Sequence, residues 1–274
     1  MSDKKNGNLR VGIGGLGAIG YPVAKWLDAG VKRLELVAVS AGNRAKAESK
    51  ISVLSNPVPV VSFSELAQVS DIVVECAPPE LFMEIATPAI EAGCVFMPLS
   101  ITSLLENMEL IDRAEQTGAR IIAPTGALIG FDALRAAAMG EVYSVLMATR
   151  KPPTSLKTAK FVVEQGIDLD RITEPLKLYE GSVREAAAMF PANVNVAVGL
   201  SLAGIGVDKT QYEIWADPSV TRNTHNIKVD ADSTRFEITI AGVPTVETPG
   251  TGKLTPLSVM ATLESLVATL SVGT

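Results

Sequence analysis

The sequence predicts an α/β protein with a doubly wound parallel sheet and a second, mixed α+β domain. Short apolar segments alternate with helical patterns from residue 10 to residue 123, a glycine-rich turn joins the first strand to the first helix, and the composition shifts near Pro124. A chain of 274 residues is long enough for two domains. We expect a first domain over 1–124, a second over 125–253, and a C-terminal segment over 254–274 whose helix returns to the first domain.

Composition and charge narrow the class of protein. Hydrophobic residues make up 47% of the chain and charged residues 20%, which is typical of a globular protein. The net charge of -6 and the lack of a basic stripe argue against nucleic-acid binding. The uncharged segment from Ala187 to Val207 contains Pro191 and several polar residues, so we interpret it as a buried core helix and not as a membrane span. Cys76 and Cys94 lie in apolar segments, as expected of reduced cysteines in a cytoplasmic protein, and the sequence shows no metal-ligand cluster.

The first strand, Arg10–Ile13, leads into a turn whose glycines have the GxGxxG spacing. In a Rossmann-type domain the first glycine permits a tight turn, the second lets a pyrophosphate approach the backbone, and the third lets the helix pack on the strand. The following helix would point its free N–H groups at the phosphates. We therefore predict that the turn binds a dinucleotide, although a glycine-rich turn that binds nothing is the alternative. The predicted cofactor contacts here are Gly15, Gly17, Ala18, Ile19 and Gly20.

The second strand, Leu34–Val39, ends where a dinucleotide site usually has an acidic residue that holds the adenosine ribose. The sequence has Ser40 and then Arg44 at this place, with no acidic residue between them. The missing acid and the nearby arginine favour NADP, or the use of both NAD and NADP, and make both residues candidate cofactor contacts. Alternatively, Arg44 only begins an exposed helix.

The alternation of strands and helices continues through the rest of the first domain. Ala77 and Pro78 form a tight loop after a buried strand, at the carboxyl end of the sheet, and are further candidate cofactor contacts. Pro88 predicts a kink or a restart of its helix. The predicted elements are an edge strand over 57–61, a helix capped by Ser62 and Glu65, strand 71–76, helix 80–92, strand 94–99, a helix capped by Ser103 and Glu106 that ends at Gly118, and strand 120–123.

The second domain is predicted to mix helices with longer strands. A turn at Thr125–Ala127 precedes an alanine-rich helix over 131–139, and Ser182 with Glu185 caps a helix that Phe190–Pro191 interrupts. The segments on either side of residues 230–233 are expected to pair as antiparallel strands. The predicted strands are 141–150, 211–215, 222–229 and 235–240, and the last helix covers 254–270.

His225 is the single histidine of the chain. Alternation along its strand places it with Ile227 and Val229 on an inward face, where a neutral imidazole can act as a general base. A lone histidine can equally be a structural residue, and that alternative stays open. The sequence has no nucleophile elbow, so acyl-transfer chemistry has no support.

Asn193 and Asn195 open the uncharged helix. They could cap this helix, or they could orient a nicotinamide amide or a substrate carbonyl. Arg150, Lys151 and Lys209 are candidate partners for a substrate carboxylate, and each could instead be a solvated surface charge.

Five segments in both domains give the chain, from about residue 9 to about residue 248, a resemblance to the L-aspartate dehydrogenase family. They are the Gly15–Gly20 turn, Pro124–Ala127 with Asp132–Leu134, Thr149–Pro153, Phe190–Ala197, and Ala216–Pro218 leading to Arg222–His225.

The resemblance implies a Rossmann domain joined to a catalytic and dimerisation domain, as in homoserine-dehydrogenase-like enzymes, and a homodimer or higher homo-oligomer. It implies NAD(P)-dependent oxidation of L-aspartate to iminoaspartate, with oxaloacetate and ammonia following on hydrolysis, a reaction that can feed NAD biosynthesis. By position, His225 is similar to the family's catalytic histidine, while Ala127 and Asn195 are similar to its cofactor contacts. We expect Thr125, Asn193 and Asn223 to contact the substrate.

The chain departs from the family pattern at two places. Thr125 stands where the family usually has a serine, and it keeps the hydroxyl. The run 249–256 differs from the Asn-Pro-x-Thr-Ser run of similar enzymes, which leaves the cofactor preference and the choice of substrate open. Two alternative functions remain: another small amino- or keto-acid reductase on the same fold, or a dinucleotide-sensing protein without turnover.

Overall fold

The computed structural model describes residues 7–191, 193–245 and 251–273. The chain forms two compact units. The first contains the chain up to Pro124 together with Thr255–Ser271, and the second contains Thr125–Leu254 with Val272 and Gly273. Within the described residues, no helix has the length and apolar character needed to cross a membrane. Residues 249 and 250 of the atypical run 249–256 lie outside the described part of the chain.

The first unit is built on a five-stranded parallel sheet. Its strands are β1 (Leu9–Gly14), β2 (Leu34–Ser40), β3 (Ile72–Glu75), β4 (Val95–Pro98) and β5 (Arg120–Ile121). The spatial order is β2-β1-β3-β4-β5, so the chain moves outward from β1 first in one direction and then in the other. Ligands of such sheets bind beyond the carboxyl ends of the strands at this switch point, here between β1 and β3.

Helices cover both faces of this sheet. They are α1 (Gly20–Asp28), α2 (Arg44–Ile51), α3 (Phe63–Val69), α4 (Phe82–Glu91), α5 (Ile101–Glu106), α6 (Glu109–Thr117) and, at the end of the chain, α11 (Leu254–Ser265). Alternate residues of one strand enter different cores: Ile72 and Val74 of β3 belong to a cluster with α1 and α11, whereas Val73 belongs to a cluster with α4. This division explains why β3, at the centre of the sheet, is apolar from Ile72 to Val74 and shows no alternation of apolar and polar residues.

Three predicted features of the first unit differ from the structure. The predicted edge strand over 57–61 is wrong: it is reduced to a single bridge between Val60 and Val39, because Pro57 and Pro59 have no N–H groups to extend a ladder. The capping box at Ser103 is also wrong, since the helix begins at Ile101 and Ser103 is buried in its first turn. The single helix predicted from this cap to Gly118 is divided into α5 and α6.

The third difference concerns Pro88, which lies inside α4 without interrupting it, so the predicted restart is wrong. Its carbonyl still accepts a hydrogen bond from the Ala92 N–H at 3.0 Å. The capping box of Ser62 and Glu65 is confirmed, as is the end of α6 at Gly118, which has φ 77°.

The second unit contains a mixed five-stranded sheet with the order β10-β9-β6-β8-β7. Its strands are β6 (Val142–Lys151), β7 (Leu176–Ser182), β8 (Gln211–Ala216), β9 (Thr224–Ala231) and β10 (Arg235–Ala241). Its helices are α7 (Phe131–Ala137), α8 (Lys160–Glu164), α9 (Val183–Met189) and α10 (Asn195–Ala203). The predicted antiparallel pair is confirmed as β9 and β10. One face of β6, β8 and β9 is buried, and the other is partly exposed.

The uncharged segment 187–207 does not form the one buried helix that its composition suggests. It contains the end of α9, a turn after Phe190, and then α10. The capping box of Ser182 and Glu185 at the start of α9 is confirmed. Val194, and not an asparagine, occupies the N-cap position of α10.

The capping box of α3 provides a test of the fold. In Ser62→Ala the N–H of Glu65 loses its acceptor, so we expect the free energy of unfolding in urea to fall by about 0.5–2 kcal/mol. Ser49→Ala, at an exposed position inside α2, is the control and should change this free energy by less than about 0.5 kcal/mol. Equal effects of the two substitutions would contradict the assigned cap.

Candidate active site

The glycine turn between β1 and α1 is shaped by close backbone contacts. Gly15 has φ 101°, and a Cβ atom there would lie 2.5 Å from the carbonyl oxygen of Cys76. A Cβ atom on Gly20 would lie 1.9 Å from the carbonyl oxygen of Gly15. A Cβ atom on the exposed Gly17, in contrast, would meet nothing within 4 Å. Two of the glycines are therefore required by the turn itself, whereas the third leaves open space beside the start of α1.

This open space suits an anionic group. Ile19 holds the N-cap position of α1 and supplies no side-chain acceptor to the first turn of the helix. Helix N-termini attract anions through their N–H groups and dipole, and a pyrophosphate could approach the backbone at Gly17. The turn therefore fits a dinucleotide, with Ala18 and Ile19 between the open position and the helix.

Other residues predicted to contact the cofactor lie at the same edge of the sheet. The carbonyl of Ser40 accepts a hydrogen bond from the Gly15 N–H at 2.7 Å, which joins the ends of β1 and β2. Ala77 and the exposed Pro78 lie in the loop after β3, separated from the strand by Cys76. Arg44 begins α2 and is exposed, and its Nε donates to Glu48 at 2.8 Å.

Lys50 is a cation at this edge that the sequence did not reveal. Its Nζ donates to the carbonyl of Leu16, inside the glycine turn, at 2.8 Å. It also lies 5.0 Å from the centre of the Tyr21 ring. Lys50 is on α2, two turns beyond Arg44, so only the packing of α2 against the turn brings it there.

A buried carboxyl group organises the loops that follow β3 and β4. Glu75 is fully buried and accepts hydrogen bonds from the N–H groups of Ala77 at 3.0 Å, Leu99 at 3.2 Å and Ser100 at 3.0 Å. The Ser100 hydroxyl donates to it as well, at 3.0 Å. Burial raises the pKa of Glu75, and these hydrogen bonds oppose the rise. Sequence reasoning missed this residue, although an acid that ends an otherwise apolar strand was a usable signal.

The second unit places His225 in a chain of buried polar groups. The β6–β9 register pairs His225 with Thr149, and the two side chains meet at 3.0 Å between Nδ1 and Oγ1. The hydroxyl of Tyr212, on β8, donates to the same Thr149 oxygen at 3.0 Å. Thr149 has a hydrogen to donate and a second lone pair, so it can serve either neutral tautomer of the imidazole. The Nε2 atom is left for a ligand, since no described residue binds it.

A lysine lies beside this chain. Lys151 follows Thr149 by two residues on the same buried face of β6, and its Nζ donates to the amide oxygen of Asn193 at 2.7 Å. Burial lowers the pKa of Lys151 to about 8. Burial and the positive charge of Lys151 together lower the pKa of His225 to about 4. The imidazole is therefore neutral at physiological pH.

The structure separates the three candidate carboxylate partners. Arg150 lies on the opposite face of β6, where it donates to Asp217 at 2.8 Å and lies 4.7 Å from the Trp215 ring. Lys209 is exposed, and only Lys151 lies beside His225.

The remaining predicted site residues of the second unit lie in the turn before α7, at the start of α10 and just before β9. Gly126, in the turn that contains Thr125 and Ala127, lies against the start of α10: a Cβ on Gly126 would be 3.8 Å from Val196. Asn195 is the first residue of α10. Asn223 is half-buried just before β9, and its carbonyl accepts from the Gly242 N–H at 2.8 Å. Among the described residues, no group of three histidines, cysteines or acids could hold a metal ion.

Two family models match this chain, and the boundary between their matches lies close to the boundary between the two units. The family model for the NAD binding domain of homoserine dehydrogenase matches residues 15–124, and the model for the C-terminal domain of aspartate dehydrogenase matches residues 132–266. An L-aspartate dehydrogenase of Bradyrhizobium diazoefficiens is 50% identical, with 100% of this chain and 98% of that protein aligned. One from Methanococcoides burtonii is 37% identical over 97% of this chain and 100% of that protein.

A solved structure agrees with these matches. The crystal structure of aspartate dehydrogenase from Thermotoga maritima superposes with a TM-score of 0.72 at 26% identity, covering 97% of this chain and 100% of that one. The fold and the site thus define an NAD-linked oxidoreductase with a Rossmann-type domain. The chain belongs to the L-aspartate dehydrogenase family.

Substitutions in the glycine turn can distinguish a glycine that the fold requires from one that ligand binding requires. Gly17→Ala should leave the fold intact but weaken NADH binding, because the new methyl group enters the open space at the turn. Gly20→Ala should destabilise the unit itself, because its methyl group collides with the Gly15 carbonyl. Fluorescence titration with NADH and thermal unfolding would measure the two effects, with Gly7→Ala, which also meets nothing within 4 Å, as the control. Unchanged NADH affinity in Gly17→Ala would contradict the assignment.

The buried hydroxyl pair provides a second test. Thr149→Val leaves the hydroxyl of Tyr212 buried without a partner, so we expect a loss of about 1–3 kcal/mol in the free energy of unfolding. Adding Tyr212→Phe should restore part of this stability, since both partners are then apolar, but it should not restore activity, because His225 still lacks its Nδ1 partner. Additive losses in the double variant would argue against the hydrogen-bonded chain.

Proposed function

We propose that the protein oxidises L-aspartate to iminoaspartate with NAD or NADP, and that oxaloacetate and ammonia follow on hydrolysis. The observation that carries this proposal is 50% identity over the whole chain to a protein named L-aspartate dehydrogenase. The buried, neutral His225 supports it, because amine oxidation requires a group that moves protons and its Nε2 atom has no partner in the described part of the chain.

The first unit would hold the cofactor at the turn of Gly15, Gly17 and Gly20. A cofactor bound there would supply the acceptor for the hydride that leaves the α-carbon of the substrate. Ser40, Ala77 and Pro78 are proposed to border the cofactor, since they lie at the carboxyl ends of β2 and β3. From the second unit, Ala127 and Asn195 are proposed as further cofactor contacts, in line with the family resemblance.

His225 is proposed to move the proton at the amine or at the water that attacks the imine. Its ring is held by Thr149, whose hydroxyl binds Nδ1 and leaves Nε2 for the reacting group. Thr125, Asn193 and Asn223 are proposed to contact the substrate. Of these, Asn193 is linked to the His225 cluster through its hydrogen bond to Lys151.

The cofactor preference follows from the residues after β2. No acidic residue lies between Ser40 and Lys46, so nothing there would repel the 2′-phosphate of NADP. Arg44 is exposed, and its pairing with Glu48 is a surface ion pair of the kind that is weak and easily exchanged. We therefore propose that the protein accepts both NAD and NADP.

The proposal also covers the oligomeric state of the enzyme, its compartment and the use of its product. We propose a homodimer or higher homo-oligomer in the cytoplasm that supplies iminoaspartate to NAD biosynthesis. The two cysteines are free thiols, which is consistent with a reducing compartment. Light scattering of the purified protein would measure the oligomeric state.

A substrate panel tests the function. The protein should oxidise NADH and NADPH with oxaloacetate only when ammonia is present. Activity with a different amino or keto acid would instead identify another reductase on the same fold. Binding of cofactor without turnover of any member of the panel would indicate a sensing protein.

His225→Ala tests the assigned proton carrier. General acid–base catalysis is typically worth about 10²- to 10⁴-fold, so we expect kcat to fall by that factor while the affinity for NADH barely changes. Steady-state rates and NADH titration measure the two quantities. Asn226→Ala, at the next position of β9 but on the opposite face, should retain activity. Near-normal turnover in His225→Ala would remove this residue from the mechanism.

A further inference from the structure

Lys151 is a buried cation without a negative partner in the described part of the chain. It is the last residue of β6, and only 7% of its surface is exposed. Its Nζ atom donates to the neutral amide of Asn193 at 2.7 Å, and no described carboxylate lies within 4.0 Å of it. A buried charge is costly unless it is paired, so this arrangement favours the arrival of an anion.

The nearest acid along the neighbouring strand does not fill this role. The N–H of Asp217 donates to the Lys151 carbonyl at 2.9 Å, but the Asp217 carboxylate accepts from Arg150 at 2.8 Å and from the Ser219 hydroxyl at 2.6 Å. The groups that share the buried face with Lys151 are uncharged: Thr149 on β6, Tyr212 on β8, and the neutral imidazole of His225 on β9.

We propose that Lys151, oriented by Asn193, binds a carboxylate group of the substrate. The proposal rests on the proposed function only for the identity of that substrate, which carries two carboxylates. The pairing gives the ammonium group the anion that its burial requires, and it places the bound molecule on the buried face that His225 shares, within range of the charge interaction between Lys151 and the imidazole. Lys151 is thus the specificity residue among the three cations that the sequence offered.

The same pairing would act on His225. The positive charge of Lys151 disfavours a second positive charge on the imidazole. A carboxylate bound at Lys151 offsets that charge, so the imidazole becomes a better proton acceptor when the substrate is present. Substrate binding and activation of the base would therefore be coupled through Lys151.

Binding of a non-reactive dicarboxylate tests the proposal without turnover. Succinate has two carboxylates and no amine to oxidise, and succinamide is its uncharged counterpart. Because the chain has a single histidine, the ¹⁵N-labelled imidazole of the tag-free protein gives one reporter of the site. At neutral pH, with and without NAD, succinate should shift the His225 resonances of the wild-type protein, whereas succinamide should not.

Lys151→Met removes the charge and keeps an unbranched side chain. Hydrogen bonds to charged groups are worth about 1.5–3 kcal/mol, so we expect the Kd for succinate to rise about 10- to 150-fold. The KM for aspartate should rise by a similar factor, with a smaller fall in kcat. Lys151→Arg should recover part of the affinity. Lys209→Met, which removes an exposed lysine of the same unit, is the matched control and should bind succinate like the wild type.

Loss of a buried, unpaired charge should not destabilise the fold, so Lys151→Met is expected to keep its thermal midpoint. An unchanged Kd for succinate in a folded Lys151→Met variant would overturn the proposal. A fall in kcat with unchanged KM would also overturn it, and would assign Lys151 to proton transfer instead. A wild-type protein that does not oxidise aspartate but still binds succinate through Lys151 would refute the proposed function and leave this inference standing.

Discussion

The register between β6 and β9 fixes the polar cluster of the second unit. It sets Thr149 opposite His225, and Lys151 follows on the same face of the sheet. Side chains alternate between the faces of a strand, so a shift of one residue would send His225 to the exposed face and bring Asn226 into the core. The apolar neighbours Ile227 and Val229 make that shift costly, and the core therefore holds the catalytic candidate in place.

The low polarity around this cluster lowers the pKa values of His225 and Lys151. Within residues 7–191, 193–245 and 251–273, a single hydroxyl is the hydrogen-bond partner of His225, and no carboxylate pairs with its imidazole. Lys151 is likewise held by a neutral amide. Both cationic forms are therefore disfavoured in the absence of a ligand, and in the proposed complex a carboxylate of the substrate would supply the negative charge at Lys151.

In the first unit, close contacts between backbone atoms shape the predicted cofactor site. The Cys76 carbonyl lies so close to Gly15, and the Gly15 carbonyl so close to Gly20, that neither glycine could carry a side chain, whereas Gly17 has open space beside it. The buried carboxyl of Glu75 then holds the loops after β3 and β4 with four hydrogen bonds. A phosphate site made of N–H groups requires such rigidity, because the backbone cannot adjust its position as a long side chain can.

The sequence by itself determined the alternation of strands and helices, the glycine turn, two of the predicted capping boxes and the inward face of His225. These features depend on local spacing, which is visible along the chain. The tertiary structure alone decided that Lys151 and not Arg150 lies beside His225, and that Asn193 binds a lysine instead of capping a helix. It also decided that Glu75 and Lys50 form hydrogen bonds with the loops at the edge of the first sheet. These contacts depend on which strands pair and on which side chains are buried. Both are determined by residues that are distant in sequence.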